Sequence, residues 1–136
     1  VPSFVFSREE FIAGVPILEK LAEYDVCLIV LAGFMNKISD VILQAFPGKI
    51  VNIHPALLPK YGGKGMYGMH VHEAVVKAGE RESGITIHYI NEHYDEGAII
   101  FQASCPVLPS DTPEEVASKV HALEYAHYPH VIESLL

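Results

Sequence analysis

Six consecutive apolar residues, Val26-Cys27-Leu28-Ile29-Val30-Leu31, constrain the fold of this chain more than any other feature. A run this short and this continuous predicts a strand buried on both faces of a parallel sheet, not an alternating half-exposed strand. Such a strand needs helices above and below it, and the flanking sequence supplies them. Residues 3–6 read as a short strand. Ser7 then opens a helix with Glu10 three residues on, a capping-box spacing. Phe11, Ile12, Val15, Leu18, Leu21 and Ala22 recur at helical spacing to about Tyr24, although Pro16 argues against an unbroken helix.

The alternation continues downstream. Ser39 can cap a short helix to Phe46, Lys49 to Ile53 reads as a strand, and Pro55 helps to stop it. Residues 59–69 are too glycine-rich for either element and read as a surface loop, the kind of segment that carries function. His70 to Ala78 is a predicted helix with Gly79 as its C-cap. Ile85 to Asn91 and Ala98 to Ala103 are predicted strands that form an antiparallel hairpin around Asp95-Glu96-Gly97. Thr112-Pro113-Glu114-Glu115 is a strong helix start. That helix runs toward Leu136, with a bend or break expected at Pro129. The order predicts one α/β domain over residues 1–136, with a mainly parallel sheet flanked by helices. Ligands of such sheets bind beyond the carboxyl ends of the strands, which points to Gly33–Ile38, Asn52–Pro55 and the loop around Asp95.

Composition narrows the function classes. The formal net charge is −8 and the nine Lys and Arg form no cluster, which argues against a nucleic-acid partner. No apolar run approaches the roughly 20 residues of a membrane helix, and the first residues do not read as a signal peptide. Cys27 and Cys105 lie outside any CxxC and are expected to be buried, reduced thiols of a cytoplasmic protein. His70-x-His72-Glu73 looks like a ligand set, yet positions two apart on a helix do not share a face. No His cluster has recognised zinc spacing, so no metal site is assigned. Gly62-Gly63-Lys64-Gly65 lacks the Ser or Thr that a phosphate loop needs after its Lys.

The segment with most chemistry is Asn52-Ile53-His54-Pro55. Residues two apart on a strand face the same way, so Asn52 and His54 project together at the strand's carboxyl end. An amide donor beside an imidazole suits acyl-type transfer, where a carbonyl oxygen gains negative charge and a proton must move. Taken alone, an N-x-H pair is more often a loop tie and a packed strand-end residue. Asp95 would favour imidazolium if it stood near His54, although Asp-Glu-Gly alone reads as an ordinary turn.

Taken in order, a longer set of segments resembles the folate-dependent formyltransferase family: Ser7-Arg8-Glu9, Leu31-Ala32-Gly33-Phe34-Met35, Asn52-Ile53-His54-Pro55-Ala56-Leu57-Leu58-Pro59-Lys60-Tyr61, His70-Val71-His72, Gly84-Ile85-Thr86-Ile87-His88, Asp95 to Gln102, and Glu124-Tyr125-Ala126-His127-Tyr128-Pro129. The resemblance covers nearly the whole chain. The NIHP form and the terminal Glu-to-Tyr-Pro segment resemble the branch that acts on glycinamide ribonucleotide. Relatives that act on methionyl-tRNA or hydrolyse formyl-folate are similar mainly around the Asn, His and Asp.

The resemblance implies a Rossmann-like formyltransferase fold and a cytoplasmic enzyme of purine biosynthesis. It would move a formyl group from the co-substrate 10-formyltetrahydrofolate to the amine of glycinamide ribonucleotide, without metal, nucleic acid or membrane. It implies a catalytic trio of Asn52, His54 and Asp95. It also implies folate contacts from Arg8, Met35, Asn36, Lys37, Ile38 and Asn52, largely through backbone over 35–38, and a ribose contact from Glu124. The loop over 90–95 is expected to close over the pteridine. Asn36 stands where many relatives carry Arg, which puts a side-chain role there in question. The family opens with a strand and a Gly-Ser-Asn type phosphate loop, placed in its sheet beside the strand at 26–31. Neither is present in this sequence. The rival readings are a formyltetrahydrofolate hydrolase or another formyltransferase of the family, a metal-dependent hydrolase built on the His residues, and a non-catalytic binding module.

Overall fold

The computed structural model describes residues 1–34, 37–91 and 97–136. Two short helices come first, α1 (Arg8–Ala13) and α2 (Val15–Glu23), followed by β1 (Ile29–Leu31), α3 (Asp40–Ala45) and β2 (Ile50–His54). The later half holds α4 (Met69–Lys77), β3 (Glu82–Tyr89), β4 (Ile99–Pro106) and α5 (Pro113–Leu135).

The helix starts follow their capping chemistry. The Ser7 hydroxyl accepts from the Glu10 N–H at 3.2 Å while the Glu10 carboxylate accepts from the Ser7 N–H at 2.9 Å. The helix breaks at Gly14, whose φ is 77°, a left-handed conformation that glycine adopts without steric cost. A side chain at Gly14 would also run into Ser39. Pro16 therefore sits in the first turn of α2, where its missing N–H costs nothing. Residues 3–6 are not a strand. Phe4 packs on Tyr24 with ring centroids 5.5 Å apart and Phe6 on Phe11 at 6.0 Å, so this segment is held by aromatic contacts instead of a backbone ladder. Thr112 caps α5 by accepting from the Glu115 N–H. The break expected at Pro129 does not occur, and α5 is one helix through that residue. Tyr128 beside it donates its hydroxyl to the Leu31 carbonyl at 2.7 Å, and that tie together with core packing outweighs one missing helical hydrogen bond.

The sheet order is β1-β2-β3-β4. The α/β class and the antiparallel β3–β4 hairpin are as expected. Among the described residues, however, only β1–β2 is parallel, and β2–β3 and β3–β4 are antiparallel. The reason lies in the connection. Val51 pairs with Tyr89 and His54 with Thr86, so Glu82, the first residue of β3, lies beyond the end where β2 stops. The chain thus re-enters the sheet from the side on which it left it.

The Val26–Leu31 run is not buried on both faces. Only Ile29–Leu31 of it is strand, its one strand partner among the described residues is β2, Val30 is 38% exposed and Cys27 is exposed. Cys105 is buried as expected, and burial pushes its thiol pKa up.

The two sheet faces carry different cores. Ile53, Ile85 and Ile87 pack with Val75 of α4 and Val116, Val120 and Tyr128 of α5. Leu31, Ile50 and Ile90 pack with Ile42 of α3 and with Ile17 and Leu21 of α2. Among the described residues, no helix is long and apolar enough to cross a membrane.

Candidate active site

A cavity of about 1180 Å³ opens beyond the carboxyl ends of β1 and β2, where the strand-end rule places ligands. Ala32, Gly33 and Phe34 follow β1 into it, and Asn52, Ile53, His54 and Pro55 come from β2. The glycine-rich loop lines it from Gly63 to Gly68, with Met69 and His72 of α4 beside it. His121, Glu124, Tyr125, Tyr128 and Pro129 come from α5.

The period of two along β2 puts Asn52 and His54 on one sheet face. Their cross-strand partners are His88 and Thr86, and Gln102 of β4 follows Thr86 in register. A polar row therefore crosses the sheet at this level, and its members fix one another. The Thr86 hydroxyl donates to the Ala56 carbonyl at 2.7 Å and accepts from the Leu58 N–H at 3.0 Å. The Gln102 amide donates to both Leu58 O and Thr86 Oγ1. This pins the segment after β2, so His54 is held from both sides.

Asn52 and His54 are 5% and 3% exposed. His54 Nε2 lies 2.7 Å from the Tyr61 carbonyl. A carbonyl only accepts, so Nε2–H donates and the ring orientation is set by backbone. His88 is buried, and its Nδ1 lies 3.0 Å from the Tyr89 carbonyl. By the same argument Nδ1 carries the proton, which leaves Nε2 to accept from the Asn52 amide at 3.4 Å. This orients Asn52 with its second N–H and its carbonyl available to the cavity. His88 has no functional signal in the sequence, where it is one more strand histidine.

The other expected site residues divide into three groups. Glu124 lines the cavity, with its carboxylate 3.4 Å from Nδ1 of His121 one helical turn earlier. Lys37 also lines it. Ile38 is buried, packs with Ile42 and Leu31 in the second core and does not line the cavity. Arg8 opens α1 and does not line the cavity. Asp95, Met35, Asn36 and the loop expected to close over the pteridine, from 92 onward, lie outside the described residues.

Two further cavity residues are His72, which the sequence offered only within a rejected ligand-like set and a resembling segment, and His121, which read as an ordinary helix histidine. Their rings meet edge to face, with centroids 6.4 Å apart. Burial, and then the neighbouring His121 and His54, lower the His72 pKa. The His121–Glu124 spacing on one helix face was the one available signal. Among the described residues, no three His, Cys, Asp or Glu side chains stand together as a metal site. Chemically, the cavity offers an amide donor and an imidazole side by side, a carboxylate lining the same space, and apolar and aromatic walls.

Comparison with known proteins places the chain in a family and a fold. The family model described as formyl transferase matches residues 3–132. The chain is 46% identical over 119 residues to a chloroplastic phosphoribosylglycinamide formyltransferase of Arabidopsis thaliana, covering 88% of this chain and 41% of that protein. It is 40% identical over 140 residues to phosphoribosylglycinamide formyltransferase of Bacillus subtilis, covering 100% of this chain and 69% of that protein. The crystal structure of glycinamide ribonucleotide transformylase 1 from Geobacillus kaustophilus superposes with a TM-score of 0.89 at 37% identity, over 100% of this chain and 72% of that one. The chain thus spans less than half of its plant relative and about two thirds of its bacterial ones. With a family match along almost its whole length and a fold to agree with it, the chain belongs to the formyl transferase family.

Proposed function

We propose that this protein transfers a formyl group from 10-formyltetrahydrofolate to the amine of glycinamide ribonucleotide, a step of de novo purine synthesis. The observation that carries the reading is the pairing of Asn52 and His54 on one face of β2 at the mouth of the cavity, with Glu124 of α5 lining the same space. The names of the relatives support the choice of acceptor.

The substrate amine attacks the formyl carbon, and the carbonyl oxygen becomes an oxyanion. The Asn52 N–H not used by His88 donates to that oxyanion, the preorganised stabilisation that acyl transfer needs. The Tyr61 carbonyl holds His54 through Nε2–H, which directs Nδ1 to proton transfer. Asp95 is assigned to favour the imidazolium and to help carry the proton from the attacking nitrogen to the departing folate nitrogen. The carbon–nitrogen bond to the folate then breaks, and no covalent enzyme intermediate forms. Lys37 and the backbone over 35–38 are assigned to the folate, Arg8 to its outer part, and Glu124 to the ribose hydroxyls of the acceptor. The proposed compartment is the cytoplasm, and the only other partners proposed are the two small substrates.

The test is a formyl-transfer assay with the full-length enzyme. Wild type should formylate glycinamide ribonucleotide, and His54→Ala should lower kcat by about 10²–10⁴-fold, the usual range for a lost acid–base group, with folate-analogue binding retained. Unchanged turnover in His54→Ala would overturn the role of His54. Formate release at the same rate without the acceptor would replace the transferase reading with a hydrolase one.

A further inference from the structure

His72 is used by nothing described so far, yet it borders the cavity between the two functional groups of the proposed site. It lies in the first turns of α4, is 2% exposed, and packs edge to face on His121, the residue that contacts Glu124. Its Nδ1 is sealed inside the protein and has no hydrogen-bond partner among the described residues. A side chain this buried normally has both polar atoms satisfied, because an unpaired buried group costs on the order of 1–3 kcal/mol.

A buried N–H without an acceptor is rarer and more costly than an under-used acceptor, so Nδ1 is the unprotonated nitrogen. The proton then sits on Nε2, and since the ring borders the cavity, Nε2–H is the donor presented there. The ring is also held neutral by burial and by the two neighbouring histidines, so it donates without bringing a positive charge that would compete with the one wanted on His54.

Position then selects the acceptor. Asn52 and His54 mark where the amine is formylated, and Glu124 marks where the sugar is held. The part of glycinamide ribonucleotide between amine and sugar is the amide, whose carbonyl oxygen can only accept. We infer that His72 is a binding residue for the acceptor substrate, donating Nε2–H to the glycinamide carbonyl and so setting the reach of the amine toward the formyl carbon. The inference rests on the proposed function above and assigns a further contact within that site.

The experiment is steady-state kinetics of wild type, His72→Phe, His72→Gln and His72→Asn in the full-length enzyme, varying each substrate separately. His72→Phe keeps a flat ring and loses the donor. It should raise KM for glycinamide ribonucleotide about 10- to 100-fold, the cost of one unpaired buried group, while KM for the formyl-folate stays near wild type. Gln places an N–H near the Nε2 position and should recover most of the loss, whereas the shorter Asn should not. A purely structural role would move both KM values and the melting temperature together, without rescue by Gln, and that result overturns the inference. So does an unchanged acceptor KM in His72→Phe. If His72→Phe does not fold, the Gln–Asn comparison decides alone, and equal acceptor KM values overturn the inference. A wild-type enzyme that cannot formylate the acceptor overturns the proposed function and this inference with it. A competent wild type with an indifferent His72 overturns the inference alone.

Discussion

Thr86 shows how much of a site can depend on one residue that touches no substrate. Its hydroxyl bonds Ala56, Leu58 and Gln102 while fully buried, and so holds the chain immediately after His54. Thr86→Val keeps the shape and strips all three bonds. It should lower unfolding stability by about 1–3 kcal/mol in denaturant titration, with kcat falling because His54 loses its support. Gly84 is a steric counterpart. A methyl group there would meet the Ala103 carbonyl across the hairpin and Leu57 at 2.8 Å. Gly84→Ala should cost about 1–3 kcal/mol as overpacking, read as a melting temperature lower by several degrees. At this scale Asn52 and His54 were legible in the sequence, because the strand period alone puts them on one face. His88 and His72 were not, since their meaning lies in what the fold packs against them.

At the scale of elements, α5 is the piece that ties the site together. Its start is held by Asp111, which accepts from the Leu108 N–H at 2.8 Å and from Lys119 at 2.6 Å. Both contacts hold the Asp111 carboxyl below the usual carboxylate range, Lys119 most strongly. The sign follows directly: a carboxyl whose folded pKa is depressed adds stability that is fully present above its unfolded value, about 4, and is lost as pH falls through the folded value. Asp111→Asn should therefore destabilise at neutral pH and show a flatter loss of stability on acidification, as measured by urea midpoints across that range. Further along the helix, Tyr128→Phe removes the hydroxyl from the Leu31 carbonyl. About 1 kcal/mol should go with it, as for an average hydrogen bond, in thermal unfolding. The start of α5 was readable from Thr112-Pro113-Glu114-Glu115, since capping is local chemistry. Its continuity through Pro129 was not, because packing against the sheet overrides a local rule.

For the molecule as a whole, the sheet separates two cores that share no residue. Ile87→Ala should cost about 2–5 kcal/mol from the face packed by α4 and α5, and Ile42→Ala a similar amount from the other. In the double variant the two losses should add within about 0.5 kcal/mol, as expected for sites without shared partners. A larger coupling in denaturant unfolding would show that the cores act as one.

The amino-acid order by itself determined much of the local structure: the helices from α3 onward and the strands β2 to β4, the side-chain caps of α1 and α5, and an amide and an imidazole on one strand face ahead of a glycine-rich loop. These follow from periodicity and from hydrogen bonds a few residues long. Tertiary structure alone decided that β3 returns antiparallel to β2, and that α4 and α5 bring His72, His121 and Glu124 to the cavity of Asn52 and His54. Each of these depends on which distant segments meet, and a one-dimensional pattern carries the tendency of a segment to be buried without specifying its partner.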